Sequence, residues 1–318
     1  MKKFLALTLI VSLALTLSAF APASAEQKQL KIVTTIFPIY DWVREITGEN
    51  AEADLTLLLD SGVDLHNYQP TVQDIVKISQ CDLFIYVGGE SDEWTEDVFA
   101  SAQNQDLKTI SLLEALGEDV KEEETVEGME AEEEEEEGEP EADEHVWLSL
   151  RNAQKLVQAI ADTLCEIDPA NAETYQANAE SYVQKLQVLD RQYADMVSAA
   201  AFKTMLFGDR FPFRYLADDY DLAYYAAFSG CSAETEASFQ TILFLAQKVD
   251  ELKLPAVLTI ENAKSRMPET IVASTAEKNQ KILSLNSMQG TTARDVQAGV
   301  TYLSIMENNL SVLREALN

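Results

Sequence analysis

The sequence predicts an α/β protein of two similar lobes, each built on a mainly parallel four-stranded sheet, with one long rigid helix joining them. Three observations predict it. Apolar runs of strand length recur at 30–37, 53–59, 82–88 and 108–113, then again at 204–208, 222–228, 256–261 and 281–286. Runs rich in Ile, Val, Thr and Tyr, separated by helical periods, are the pattern of buried parallel strands in βα units. Between the two sets, residues 171–201 contain neither Gly nor Pro and follow Asp168-Pro169, a cap and start for a helix of about 28 residues, roughly 42 Å long. Finally, 318 residues with 47% apolar content suffice for two domains with real cores.

In chain order, Lys2 and Lys3 precede an apolar run from Phe4 to Phe20, and small residues at Ala23 and Ala25 complete a secretory signal cleaved after Ala25. An exported protein is expected, in the periplasm or on the outer face of the cytoplasmic membrane. No cysteine follows the run, so no lipid-anchor signal is seen there. The first lobe is expected over 26–168, the linking helix over 169–200 and the second lobe over 201–318, ending in a helix from Thr292 to Leu317. Residues 121–144 hold fifteen acids against one lysine, within a net charge of −32. This excludes nucleic acid and anionic membranes as partners and suits cations. The loop 119–143 is expected to be disordered and solvated, its sharper role being to concentrate cations near the cleft. Cys81, Cys165 and Cys231 form neither a disulfide framework nor a CxxC clip and read as buried small hydrophobes, although one pair could be oxidised.

Ligand groups in open parallel sheets gather beyond the carboxyl ends of the strands. The residues there are His66 after the second run, Asp209 and Arg210 after 204–208, Glu261 at the end of 256–261 and Asn286 at the end of 281–286. His145, the only other histidine, precedes a helix expected to begin near Ser149. Two imidazoles with one or two carboxylates from separate loops suit a borderline metal such as zinc. Pairing with Arg210 is the alternative use of Asp209 and Glu261, because a buried charge needs a partner. No HExxH or GxSxG occurs, which favours a binding protein over an enzyme.

The segments "TTIFPIYDWVREITG", "GVDLHNYQP", "DEHVWLSL", "FGDRFPFRYLADDYDL" and "GCSAETEAS" together resemble the substrate-binding subunits of bacterial zinc and manganese ABC transporters. The resemblance runs in order through the whole mature chain. It implies two α/β lobes on a rigid helix, one transition-metal ion in the cleft, and delivery to a membrane permease by a monomeric binding protein. The family's first two metal-binding histidines match His66 and His145. Its third ligand, His or Glu, falls on Arg210, which cannot ligate, so the adjacent Asp209 is the expected substitute. The fourth, usually Asp, matches Asn286, leaving Glu261 as the nearby carboxylate. The expected ligand set is therefore His66, His145, Glu261 and Asp209. The expected ion is zinc, with manganese as the alternative, and a metal-independent adhesin with a degenerate site as a further one.

Overall fold

The computed structural model describes residues 29–48, 53–130, 141–232, 236–263 and 265–318. The secretory signal expected over 1–25 and the centre of the acidic tract lie outside them. All eight strands form where the apolar runs stand. In the first lobe β1 (Leu30–Thr34), β2 (Ala53–Leu57), β3 (Leu83–Tyr86) and β4 (Lys108–Ser111) make one sheet in the order β2-β1-β3-β4. Every pairing is parallel. The central strands are buried by helices, which is why their sequences are apolar without strict alternation.

The second lobe repeats the order with looser stitching. Here β5 (Thr204–Leu206) pairs with β6 (Ala223–Tyr225), and β7 (Ala256–Ile260) with β8 (Lys281–Leu285), all parallel. Among the described residues one backbone bridge, Phe207–Leu258, joins the two pairs, and there Gly208 N–H donates to Leu258 O at 2.8 Å. The single sheet expected here is thus two pairs joined at one point, because β5 and β6 are only three residues each.

The helix Ala172–Ala199 runs its full 28 residues and packs on the helices Leu150–Ile167 and Phe37–Thr47. Asn178 donates to Ile46 O in the first lobe at 3.0 Å, while Tyr193 Oη donates to Met306 O in the second at 2.6 Å. Further bonds cross directly between the lobes. Trp147 Nε1 donates to Ser287 O at 2.9 Å, Tyr302 Oη to Trp147 O at 2.7 Å, and Tyr302 N to buried Asp41 Oδ2 at 2.7 Å. A spine fixed at both ends and a core continuous across the lobes resist hinge motion.

The helix expected over 292–317 is broken. Gly299 takes φ +88°, and Thr301 opens a new helix, Tyr302–Ala316, with a capping box. No helix among the described residues is long and apolar enough to cross a membrane.

At the described flanks of the acidic tract the chain makes specific contacts. Asp143 N donates to Lys121 O at 2.8 Å and Glu123 N to Glu141 O at 2.7 Å, closing the base of the excursion. Glu130 pairs with Phe228, and its carboxylate accepts from Ser238 N and Thr241 Oγ1 at the start of the helix Phe239–Leu252. There a negative charge meets unsatisfied amides, which offsets the repulsion that composition alone emphasises.

Candidate metal centre

His66 sits in the short turn Leu65–Asn67 after β2, where Asp64 accepts from its backbone N–H at 3.1 Å. His145 precedes the turn Val146–Leu148, and Ser149 then caps the helix Leu150–Ile167, as its position in the sequence predicts. The two rings meet with Nε2 facing Nε2 at 3.2 Å.

Each ring is held from behind. His145 Nδ1 lies 3.0 Å from Asp143 Oδ1, which also accepts the His145 backbone N–H at 2.9 Å. His66 Nδ1 lies 2.8 Å from Ser91 Oγ and 3.5 Å from Glu144 Oε2. Glu144 in turn accepts from Ser91 N at 2.9 Å. Gly89 makes this approach possible: it holds φ +78°, and a Cβ there would collide with the Glu144 carboxylate. Asp143 on His145 Nδ1 favours the proton on that nitrogen and turns the Nε2 electron pair inward, while Ser91, whose N–H is held by Glu144, backs the His66 ring.

Electrostatics point the same way. Burial pushes the His66 imidazole down to about 3, with His145 and Arg210 adding to the effect against Asp64. The ring is therefore neutral and ready to donate its electron pair. Burial raises Glu144 to about 7, opposed by its bonds to Ser91. Gln289 completes the wall: with its amide nitrogen donating to Asp64 at 2.9 Å, its oxygen stands 3.2 Å from His145 Nε2. The two ring nitrogens and the Gln289 amide thus converge on one point between the lobes. Two nitrogens each 2.0–2.1 Å from a tetrahedral zinc would be about 3.3 Å apart, close to the observed spacing.

The two expected carboxylates do not join the imidazoles. Asp209 accepts from Thr259 Oγ1 at 2.7 Å, Ile260 N at 3.4 Å and Arg210 N at 2.9 Å, on the seam between β5 and β7. Glu261 accepts from Ser287 N at 2.6 Å, Ser287 Oγ at 2.9 Å and Gly290 N at 3.1 Å. Nearby amides and hydroxyls satisfy both groups and hold them in the second lobe. Neither pairs with Arg210. Its guanidinium crosses the cleft to Asp64, and despite burial this partner holds the Asp64 carboxyl below its usual range. Asn286 turns to its own chain, accepting from Met288 N at 2.7 Å.

Among the described residues, the ligand-type groups that lie within 4.8 Å of one another are His66, His145 and Cys231. Sequence reasoning missed Cys231, which stands in the loop after β6; only the neighbouring Gly230 hints at a close approach. All three cysteines are unpaired.

The comparisons with known proteins agree with this geometry. A family model described as zinc-uptake complex component A, periplasmic, matches residues 32–316. The zinc-binding lipoprotein AdcA of Streptococcus pneumoniae is 33% identical over 305 residues, which cover 93% of this chain and 58% of that protein. The chain thus spans little more than half the length of that curated relative. The high-affinity zinc uptake system protein ZnuA of Bacillus subtilis is 29% identical over 300 residues, covering 93% of this chain and 90% of that one. The crystal structure of the Zn(II)-bound ZnuA-like domain of S. pneumoniae AdcA matches with a TM-score of 0.71 at 31% identity, over 91% of this chain and 99% of that domain. The match takes in both lobes, the joining helix and both histidine loops, and the chain belongs to the zinc-uptake complex component A family.

Proposed function

We propose that the chain is an extracytoplasmic binding protein that captures one divalent transition metal between its lobes through His66 and His145 and delivers it to an ABC permease. Zinc is the favoured ion. The observation that carries this reading is the pair of inward-facing Nε2 atoms 3.2 Å apart, one ring backed by Asp143 and the other by Ser91 with Glu144 behind it. Neutral imidazoles suit zinc, whereas manganese prefers oxygen donors. The carboxylates expected to supply such oxygens, Asp209 and Glu261, are engaged elsewhere. The zinc-binding relatives and the periplasmic description of the family support the same assignment.

Capture rather than catalysis follows from where the acids stand. Glu144 touches the far edge of the His66 ring, so it orients a ligand instead of facing a metal-bound water. The spine between the lobes favours a site assembled before the ion arrives, with small local movements admitting and releasing it. One chain supplies both histidines, so a monomer is the working unit. The test is growth of a host lacking its own zinc-binding subunit in zinc-depleted medium, with the cognate permease supplied. The wild-type chain is expected to restore growth and zinc accumulation, and His66→Ala or His145→Ala to restore neither. Restoration by both variants would refute the reading.

A further inference from the structure

We propose that Cys231 is the third protein ligand of the captured ion, making this a two-histidine, one-thiolate site. The inference rests on the zinc-capture reading above and deepens it by naming the donor that stands in where the family's third ligand position carries Arg210.

The placement of Cys231 carries the argument. Its ligand atom and those of His66 and His145 all lie within 4.8 Å of one another, and no other described trio of His, Cys, Asp or Glu meets that condition. The loop holding it is pinned from both sides. Cys231 N donates to Glu123 Oε1 at 2.9 Å, and Arg210 Nη1 donates to Ser232 O at 3.5 Å. Gly230 lets the loop lie against the ring, since a Cβ there would come 3.1 Å from His145 Cε1 and Nδ1 and 3.0 Å from Phe211 O. The acidic flank and the arginine thereby hold the Cys231 loop beside the imidazole pair. In a tetrahedral zinc site with Zn–S near 2.3 Å and Zn–N near 2.0 Å, sulfur and nitrogen stand about 3.5 Å apart. Closing from within 4.8 Å to that distance takes a side-chain rotation or a loop shift of about an ångström.

The chemistry then makes sense of Arg210, whose guanidinium has no electron pair to give and is committed to Asp64. On binding, the Cys231 thiol releases its proton to solvent as the sulfur–metal bond forms. The resulting thiolate offsets one charge of the cation, which two neutral imidazoles alone do not. The fourth position falls to an oxygen donor, and the Gln289 amide is already beside His145 Nε2. A soft sulfur donor raises preference for zinc over manganese.

The experiment is cobalt(II) and zinc binding to the mature chain and to its Cys231→Ser variant, with a Cys81→Ala/Cys165→Ala double variant as the control for the other thiols. Cobalt bound by the wild type and the control should show an intense near-ultraviolet sulfur-to-cobalt charge-transfer band, which Cys231→Ser abolishes. Zinc affinity of Cys231→Ser should fall by more than the roughly 10–100-fold that loss of an outer-shell partner costs. X-ray absorption of the zinc-loaded wild type, which needs no variant to fold, should show sulfur at about 2.3 Å. Stoichiometric binding without a sulfur signature overturns the inference and leaves zinc capture standing. No metal binding by the wild type overturns both.

Discussion

Replacing Asp143 with alanine separates its part in the fold from its part in the metal centre. Its Oδ1 accepts two bonds, from the His145 backbone N–H at 2.9 Å and from ring Nδ1 at 3.0 Å. Asp143 is 2% exposed, so water cannot readily take its place. Each buried donor left without an acceptor costs about 1–3 kcal/mol, which denaturant unfolding of the metal-free chain would read. The second effect is on the ligand. Without the carboxylate the His145 ring can exchange tautomers and rotate, and loss of such an outer-shell partner weakens metal binding about 10–100-fold. That is roughly 1.4–2.8 kcal/mol, measurable by competition with a zinc chelator. Asp143→Asn keeps the shape and one acceptor oxygen, so it should recover most of the stability and part of the affinity. A folded Asp143→Ala variant that binds zinc as tightly as wild type would refute the reasoning.

Three further outcomes are expected. Burial raises Asp41 from 3.8 to about 6, against the pull of Arg44 and the Tyr302 N–H; the folded chain therefore holds that proton more tightly than the unfolded chain. The associated stability, about 3 kcal/mol, is present below about pH 4 and is lost as pH rises through 6. Asp41→Asn should thus gain on wild type in metal-free melting temperature between pH 4 and 7, and a gap independent of pH would contradict this. Arg210→Met leaves the partly buried Asp64 without its counter-ion and should cost about 1–3 kcal/mol of metal-free stability, less than breaking a fully buried pair. Denaturant unfolding of the metal-free chain reads this cost, and a variant as stable as wild type would contradict it. Gly89→Ala combines φ +78° with a collision at Glu144, whereas Gly117→Ala, at φ +54°, meets nothing within 4 Å. The first should lose about 1–3 kcal/mol more than the backbone strain the two share, and equal unfolding midpoints would contradict that.

Much of the architecture is legible in the sequence because buried parallel strands and an uninterrupted amphipathic helix have strong local signatures. The eight runs lie where the strands form, and the Gly- and Pro-free segment 171–201 is the helix Ala172–Ala199. What the pattern could not show depends on partners distant in sequence. The seam of the second lobe rests on one bridge between Phe207 and Leu258. The break before Tyr302 was signalled by Ala298-Gly299 and Thr301, yet apolar periodicity on both sides masked it. At the site, His66 and His145 stood out because they are the only histidines and lie in loops beside strand and helix ends. Asp209 and Glu261 occupy equally suggestive strand ends, but backbone amides and hydroxyls compete for a carboxylate, and sequence does not reveal which donors win. Cys231 escaped for the converse reason. Its neighbours are set by Gly230 against His145 and by Glu123 from the acidic flank, both made in three dimensions.

The central claim, that His66 and His145 together hold one zinc ion, is tested most directly by titrating zinc into the chelator-washed mature chain beside its His66→Ala/His145→Ala variant, with metal analysis and thermal shift as readouts. The account predicts one tightly bound zinc per wild-type chain, a melting temperature that rises with zinc concentration through mass action, and neither effect in the variant. A wild-type chain that binds no stoichiometric zinc, or a folded variant that binds it as tightly, would contradict it.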